Sequence, residues 1–543
     1  MKQYLIIPPL LALCCGSLSA VEKPNIVLIM ADDMGFSDIG CYGSEIPTPN
    51  LDGLAANGLR FTQFYNSARC SPTRAALLTG LHPHQAGMGR LAEETIGVKT
   101  QGPDAYLGHL NNRSVTLAEV LRPAGYKTYM AGKWHLGQRD ESKWPLQRGF
   151  DRYYGILSGA ASYFKPDGLR GLTLDNQQLP APAGPDYYTT DSFTDFAIKT
   201  VNEHQGEAPF FLYLSFNAPH WPLHARDEDI KKFIGKYRAG WDKIRSARHT
   251  KMIGQGIVKQ EWPLSDRDSE ARAWDNLSEQ EKTDLDYRMA VYAAQIHRMD
   301  WNIGRLVATL KQRGELENTL LFFLSDNGGC AEPYTDLGGH AQSKINDPAN
   351  SSSVSYGTGW ANASNTPFRK FKSTLLEGGI STPLIIHWPA GLKAKPGSLD
   401  PTPGYLTDIM PTAIQVSGAS YPENFKGQEI TPLEGVSLAP CIAGPSETPS
   451  PRTFYWEQYG YKSVRHGDLK AVFNPKNQYD KTGSGEWELY DLSNDRTELK
   501  NLAAARPEEM NELVAKWDAW ADRCQVNSTP GHGKKRAKRG PGN

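Results

Sequence analysis

The sequence predicts an α/β protein: a large domain with a mainly parallel, mixed sheet sandwiched by helices, then a smaller C-terminal α+β domain with a short antiparallel sheet. Three observations carry this. Several short segments are apolar at every position, as strands covered on both faces are. Amphipathic helical stretches lie between them. From about residue 450 the pattern changes to brief runs separated by turn residues, as in hairpins. At 543 residues the chain is too long for one ordinary domain. A formal net charge of −1 gives no global attraction to nucleic acid or to an anionic membrane.

The chain opens MKQYLIIPPLLALCCGSLSA, with Lys2, an apolar run, and Ser17 and Ser19 ahead of a cleavage point. Residues 1–20 read as a secretory signal peptide, which places the mature protein in a periplasm or outside the cell and predicts no stable membrane insertion. Lipid anchoring at Cys14 or Cys15 is the weaker alternative, because Leu13 and Cys14 are poor residues ahead of a lipidated cysteine. Five cysteines remain beyond the leader, Cys41, Cys70, Cys330, Cys441 and Cys524, so at least one thiol is unpaired.

Strands are expected at Asn25–Met30, Tyr126–Ala131, Pro209–Phe216, Thr319–Leu324 and Thr382–Trp388. A long helix is expected from a capping box at Ser278 and Glu281, through Leu285, Met289, Tyr292, Ile296, Met299, Ile303, Leu306 and Leu310, to Gly314. Residues 335–365, rich in Gly, Ser and Asn, read as a long irregular loop. In the tail, Phe454–Glu457, Tyr461–Arg465, Leu469–Phe473 and Glu486–Tyr490 read as antiparallel strands, followed by a helix over Pro507–Arg523. The expected division is a catalytic domain over 21–445, an α+β subdomain over 446–525 and a basic disordered tail over 526–543.

Four of the expected strands run straight into polar chemistry: Asp32-Asp33, Lys133-x-His135, His220 and Asp326-Asn327. Ligands of open α/β sheets sit beyond the carboxyl ends of strands. Asp32, Asp33, Asp326 and Asn327 offer only oxygen, which suits a hard divalent cation, Ca²⁺ before Mg²⁺. Asp38 reads as an ordinary turn or cap residue. Arg74, Lys133 and Lys372, with His135 and His220, supply positive charge and imidazoles, a set suited to hydrolysing an anionic sulfate or phosphate ester. Cys70 opens CSPTRAALLTG, where Pro72 suits the first turn of a helix and places residue 70 at its N-terminus. His82, His84 and His109 read as pocket walls, surface residues or neither, and His297 and His387 as structural, so all five stay outside the catalytic set.

CSPTRAALLTG resembles the signature of the type I, formylglycine-dependent sulfatases of the alkaline phosphatase-like superfamily. GKWHLG at 132–137 is similar to their second motif, and NIVLIMADD, APHWP, FLSDNGG, LEGGISTP and LEGVSL follow in family order. The wording is most similar to the bacterial arylsulfatases, runs from about Pro24 to Leu502 and lacks no essential position. The resemblance implies a sulfuric ester hydrolase in which a maturation enzyme oxidises Cys70 to formylglycine, whose hydrate is the nucleophile. It implies Asp32, Asp33, Asp326, Asn327 and residue 70 around Ca²⁺, with Asp326 also acting as a base. Arg74 and Lys133 would stabilise the diol, and His135 would take the proton from its second hydroxyl. His220 and Lys372 would bind the sulfate, with Lys133, and assist the leaving alcohol; Lys372 rather than Lys370 has the K-x4-E-G-G spacing.

The expected substrate is a sulfated small molecule or a sulfated carbohydrate. Specificity is expected from loops over Ser158–Pro185, His220–Trp274 and Ala331–Asn365, whose Tyr163, Phe164, Trp221, Trp241 and Trp360 could stack on a ring. Two other readings remain: a phosphohydrolase or phosphonate monoester hydrolase on the same scaffold, and a binder of sulfated glycans without activity.

Overall fold

The apolar runs are strands of one sheet whose two faces are both covered. A computed structural model of the chain describes residues 23–95, 104–184, 186–350, 352–444 and 451–526. The expected signal peptide, the junction at 445–446 and the basic tail beyond Val526 lie outside the described residues. The sheet contains β1 (Asn25–Ala31), β2 (Leu59–Tyr65), β3 (Lys127–Lys133), β4 (Arg152–Ile156), β5 (Leu172–Leu174), β6 (Gln177–Gln178), β7 (Phe210–Ser215), β8 (Thr319–Ser325), β9 (Ser381–His387), β10 (Ser398–Asp400) and β11 (Gly404–Tyr405). Their order is β10-β2-β9-β8-β1-β7-β3-β4-β5-β6, with β11 also on β2.

The centre, β8-β1-β7-β3-β4, is parallel. β9 runs antiparallel to both β8 and β2, and β5 to both β4 and β6. The expected strand at Thr382 is therefore present but reversed. Its beginning, not its end, lies beside the carboxyl ends of its neighbours, which brings the segment before it to the site. β2 escapes the apolar pattern because Arg60 and Gln63 interrupt it.

Val27 and Ile29 face one layer, with Leu212, Phe193 of the helix Thr189–Glu203 and Met289, Ile296 and Ile303 of the helix Glu279–Gln312. Ile26, Leu28 and Met30 face the other, with Leu77 and Leu78 of the helix Cys70–Thr79 and Ile409 and Met410 of the helix Ile409–Ser417. Alternate residues thus serve opposite layers, so every position is apolar. The long helix starts on the expected capping box: Ser278 accepts from the Glu281 N–H, and Glu281 accepts in return from the Ser278 N–H.

Residues 335–365 are not wholly irregular, since Gly357–Ser364 form a helix. Its Trp360 is fully buried in edge-on contact with Trp241 and Trp274. Trp241 and Trp360 are therefore core, and so is Tyr163, whose hydroxyl donates to the carbonyls of Asn217 and His220. Phe164 and Trp221 remain partly exposed. Asp38 is more than a turn residue: it caps the Gly35 N–H but is also buried and paired with Arg248 at 2.7 Å. Cys41, Cys70, Cys330, Cys441 and Cys524 are all free thiols.

A short hairpin, β12 (Asn424–Phe425) and β13 (Gln428–Glu429), precedes the small sheet. That sheet is antiparallel in the order β14 (Thr453–Gln458), β15 (Tyr461–His466), β16 (Leu469–Phe473) and β17 (Trp487–Asp491). The helix Pro507–Arg523 lays Met510, Leu513 and Trp517 on Val464, Ala471 and Leu489. Buried charges join the small sheet to the large one. Lys470 of β16 sits between Glu377, at 3.0 Å, and Glu498, at 2.8 Å. Arg496 pairs with Glu377, and Arg465 donates to the Tyr65 hydroxyl of β2. No helix among the described residues is long and apolar enough to cross a membrane.

Candidate active site

Five strand ends and one strand beginning meet at a single point. β1 runs into Asp32 and Asp33, β3 ends on Lys133 and leads to His135, β7 leads to His220, and β8 leads to Asp326 and Asn327. Five residues after β2 the helix Cys70–Thr79 begins on Cys70 itself, with Arg74 one turn in. Lys372 arrives from the segment ahead of β9 and is fixed by its N–H to the Gly329 carbonyl. All ten side chains singled out in the sequence gather here, each at most 4% exposed.

The acids and cations pair one to one. Lys133 Nζ lies 2.7 Å from Asp32, Lys372 Nζ 2.8 Å from Asp33, and Arg74 Nη2 2.7 Å from Asp326. Arg74 also donates to Ser215 and to the Lys133 carbonyl, and Ser215 donates to that same carbonyl. Gly132 allows this closeness: its φ is +108°, and a Cβ there would lie 1.8 Å from the Ser215 carbonyl oxygen. Asp33 and His135 adopt left-handed backbone, φ 66° and 58°, a strain that concentrates at functional sites.

Atoms able to hold a cation converge. Asp32, Asp33, Cys70 and His220 each offer one, all within 4.8 Å of one another. Asn327 points Oδ1 at Cys70 Sγ, 3.6 Å away, while its amide N–H donates to Asp33. Asp326 stands slightly apart, with one oxygen taken by Arg74 and the other by the Asp33 N–H. Asp32 Oδ1 is buried and accepts no hydrogen bond. Burial, then the nearby Asp326, push the Asp32 carboxyl well above its usual range. Burial acts the same way on Asp326, but Arg74 overrides it and holds that carboxyl low. Crowded oxygens with one orphaned acceptor fit a hard divalent cation.

Burial pushes the Cys70 thiol up, so it stays protonated and is a poor nucleophile as it stands. Burial likewise pushes His220 well down, helped by Lys372 and Lys133. Its Nδ1–H donates to the Trp221 carbonyl at 2.7 Å, leaving Nε2 facing Asp33 at 3.4 Å. His135, lowered to about 4 chiefly by burial, meets Glu93 at 2.6 Å. Sequence reasoning missed Glu93, which lies in LAEETIG with no motif, and Glu332, which accepts from Arg69 and from the Trp221 ring N–H. His82 and His84 lie elsewhere, against Glu434 and Glu457.

Such a pocket, with three carboxylates, three cations and two imidazoles around a cysteine, has relatives. Residues 24–419 match the family described as Sulfatase, and residues 370–519 match the N-sulphoglucosamine sulphohydrolase C-terminal family. An arylsulfatase of Klebsiella aerogenes is 36% identical over 77% of this chain and 92% of its own length. An uncharacterized sulfatase of Schizosaccharomyces pombe is 34% identical over 94% of this chain and 95% of its own. The crystal structure of Ps i-CgsB with k-i-k-neocarrahexaose superposes with a TM-score of 0.64 at 26% identity, covering 92% of this chain and 93% of that one. The phosphonate monoester hydrolase of Agrobacterium radiobacter, at 20% identity and a TM-score of 0.57, covering 92% of this chain and 96% of its own, shares the fold. With a match across most of its length and these relatives, the chain belongs to the sulfatase family and is a sulfuric ester hydrolase.

Proposed function

We propose that this sulfatase works through residue 70 after its oxidation to formylglycine, beside a calcium ion held by Asp32, Asp33, Asp326, Asn327 and residue 70. The convergence of Asp32, Asp33, Cys70 and His220 atoms within 4.8 Å carries this reading. The protonated, buried thiol supports it from the other side, because a group in that environment needs conversion before it can attack. Calcium would supply a Lewis acid for a sulfate oxygen, and formylglycine a geminal diol whose second hydroxyl can expel sulfate.

The chain's own groups divide the remaining work. Asp32, Asp33 and Asp326 balance Lys133, Lys372 and Arg74 in charge, so a divalent cation leaves the pocket positive and selective for an anionic ester. Lys133 and Lys372 then face the sulfate as well as their aspartates. His220 sits against Asp33 and Lys372 at the same end and serves the leaving oxygen. Arg74, clamped by Ser215 and Asp326, holds the helix that carries residue 70. His135, neutral because it is buried, is the base toward a reacting hydroxyl.

The substrate is a sulfate monoester of a carbohydrate or an aryl alcohol. BT4656, which shares the fold, has been solved in complex with its substrate D-glucosamine-2-N,6-O-disulfate, and a ligand of that class supports this reading. The protein is exported, and a formylglycine-generating enzyme acts on Cys70 in the host. Peptide mass spectrometry at residue 70, with turnover of a nitrophenyl sulfate against the matching phosphate in calcium, tests the whole reading. Formylglycine and a strong sulfate preference are expected. A phosphate preference would indicate the phosphohydrolase reading, and an unmodified thiol with no hydrolysis a glycan binder.

A further inference from the structure

We infer that Glu93 is a positioning residue for His135: it fixes the imidazole as its Nε2–H tautomer and leaves Nδ1 as the nitrogen that takes up a proton. This rests on the reading of His135 as the base. Glu93 comes from a short turn, Ala92–Thr95, remote in sequence from His135. One carboxylate oxygen lies 2.6 Å from His135 Nε2, and the other accepts the Gly159 N–H at 3.0 Å. An ionised carboxylate only accepts, so Nε2 must carry the hydrogen. The second nitrogen, Nδ1, is buried without a protein partner.

The ring cannot easily turn to exchange its nitrogens. A Cβ on Gly159 would stand 2.6 Å from both Cε1 and Nε2, so residue 159 packs so closely on that side of the imidazole that no side chain fits between them. The His135 backbone is left-handed and tied by its N–H to the Leu157 carbonyl. His135 is 3% exposed, whereas the Glu93 side chain is 39% exposed, so the acid reaches inward from the rim to a buried base. A rim acid with no buried partner would be an ordinary surface charge.

The charged groups near His135 are Glu93, Lys133 and Arg74, and those near Glu93 also include Glu94 and Arg170. Burial and the two cations oppose an imidazolium, and Glu93 is the group that favours one. Burial works against the Glu93 charge too, but His135 holds that carboxyl below its ordinary range. When a reacting hydroxyl is deprotonated, its proton goes to Nδ1, the bonding pair stays on oxygen, and Nε2–H remains directed at Glu93. An orienting carboxylate behind a base does this work in other hydrolases.

The test needs a readout independent of maturation. Nitrogen-15 histidine NMR on the full chain with Cys70 unmodified, assigned with His135→Asn, should show His135 as the Nε2–H tautomer with a far-downfield proton. In Glu93→Gln, which keeps a hydrogen-bond acceptor but removes the charge, that proton should move upfield and the ring should protonate at lower pH. In matured enzyme, Glu93→Gln should lower kcat on a nitrophenyl sulfate roughly 10- to 100-fold with KM unchanged. The acid limb of its pH profile should move to lower pH, and Glu93→Asp should recover part of the loss. Identical His135 signals in the two proteins, an unmoved acid limb with full kcat, or a rise in KM alone would overturn the inference. If Glu93→Gln fails to fold, the wild-type tautomer still decides it. If wild type shows the expected tautomer but hydrolyses no sulfate ester, the proposed chemistry fails and the pair stands.

Discussion

Two of the buried clusters of opposite charges among the described residues differ in what their acids face. At the junction of the sheets, Lys470 is inserted between Glu377 and Glu498, and Arg496 closes on Glu377, so cations separate the acids. At the strand ends the acids crowd one another. Asp32, Asp33 and Asp326 come from two adjacent strands, each with its cation on the outside, while oxygens, a thiol and an imidazole converge inside. Buried charge by itself therefore marks no site. What separates the two is convergence: at the strand ends Asp32, Asp33, Cys70 and His220 each bring a ligand atom within 4.8 Å of the others.

The largest expected effect is at the strand ends. Asp33→Asn removes one carboxylate from the convergent set and should lower sulfate turnover by about 1,000-fold, the scale of charge stabilisation from a bound cation. Calcium at a hundredfold excess over its Kd should stabilise wild type by about 3 kcal/mol, seen as a rise in Tm, and should leave Asp33→Asn unmoved. In the absence of calcium the variant should melt below wild type, because Lys372 is left buried without its paired carboxylate. A variant that loses stability but keeps turnover would erase the contrast between the clusters.

The reverse outcome is expected at the junction. Lys470→Met leaves Glu377 and Glu498 buried without their shared cation and should cost about 3–5 kcal/mol in denaturant unfolding. Turnover per folded molecule should be unchanged. A drop in kcat at full stability would make the junction part of the active site.

How far these clusters could be read beforehand follows from the same difference. The strand-end groups stand immediately after apolar runs, so Asp32, Asp33, Lys133, His135, His220, Asp326 and Asn327 announce themselves, and Lys372 is found by its spacing from Glu377. The parallel centre and the C-terminal hairpins follow from periodicity. Strand direction does not, because an apolar run looks alike in either sense, and β9 is reversed. Glu93 and Glu332 resemble surface acids until folding brings them to His135 and Arg69. Trp241 and Trp360 belong to one edge-on aromatic cluster that no spacing reveals. Lys470, Glu377 and Glu498 lie on three separate segments, and their burial is a property of the docked sheets alone.

The smallest expected effect concerns pH and the Glu498 carboxyl. Burial, then the nearby Glu377, raise it above its ordinary value, and Lys470 offsets only part of this. Folded protein thus keeps a proton at Glu498 that unfolded chain has already released. Unfolding then releases a proton, and stability falls as pH rises from about 4.5, the unfolded value, through the higher folded value. The stability from this group is fully present below that window and lost above it. Glu498→Gln is neutral at every pH and removes this slope while preserving the acceptor for the Glu377 N–H. Denaturant unfolding at pH 5 and pH 8 should show the variant gaining on wild type at the higher pH, by about 1–2 kcal/mol for a carboxyl displaced by one or more units. Parallel stability curves would mean that Lys470 keeps Glu498 ionised throughout, and that the junction is as fully paired as its distances imply.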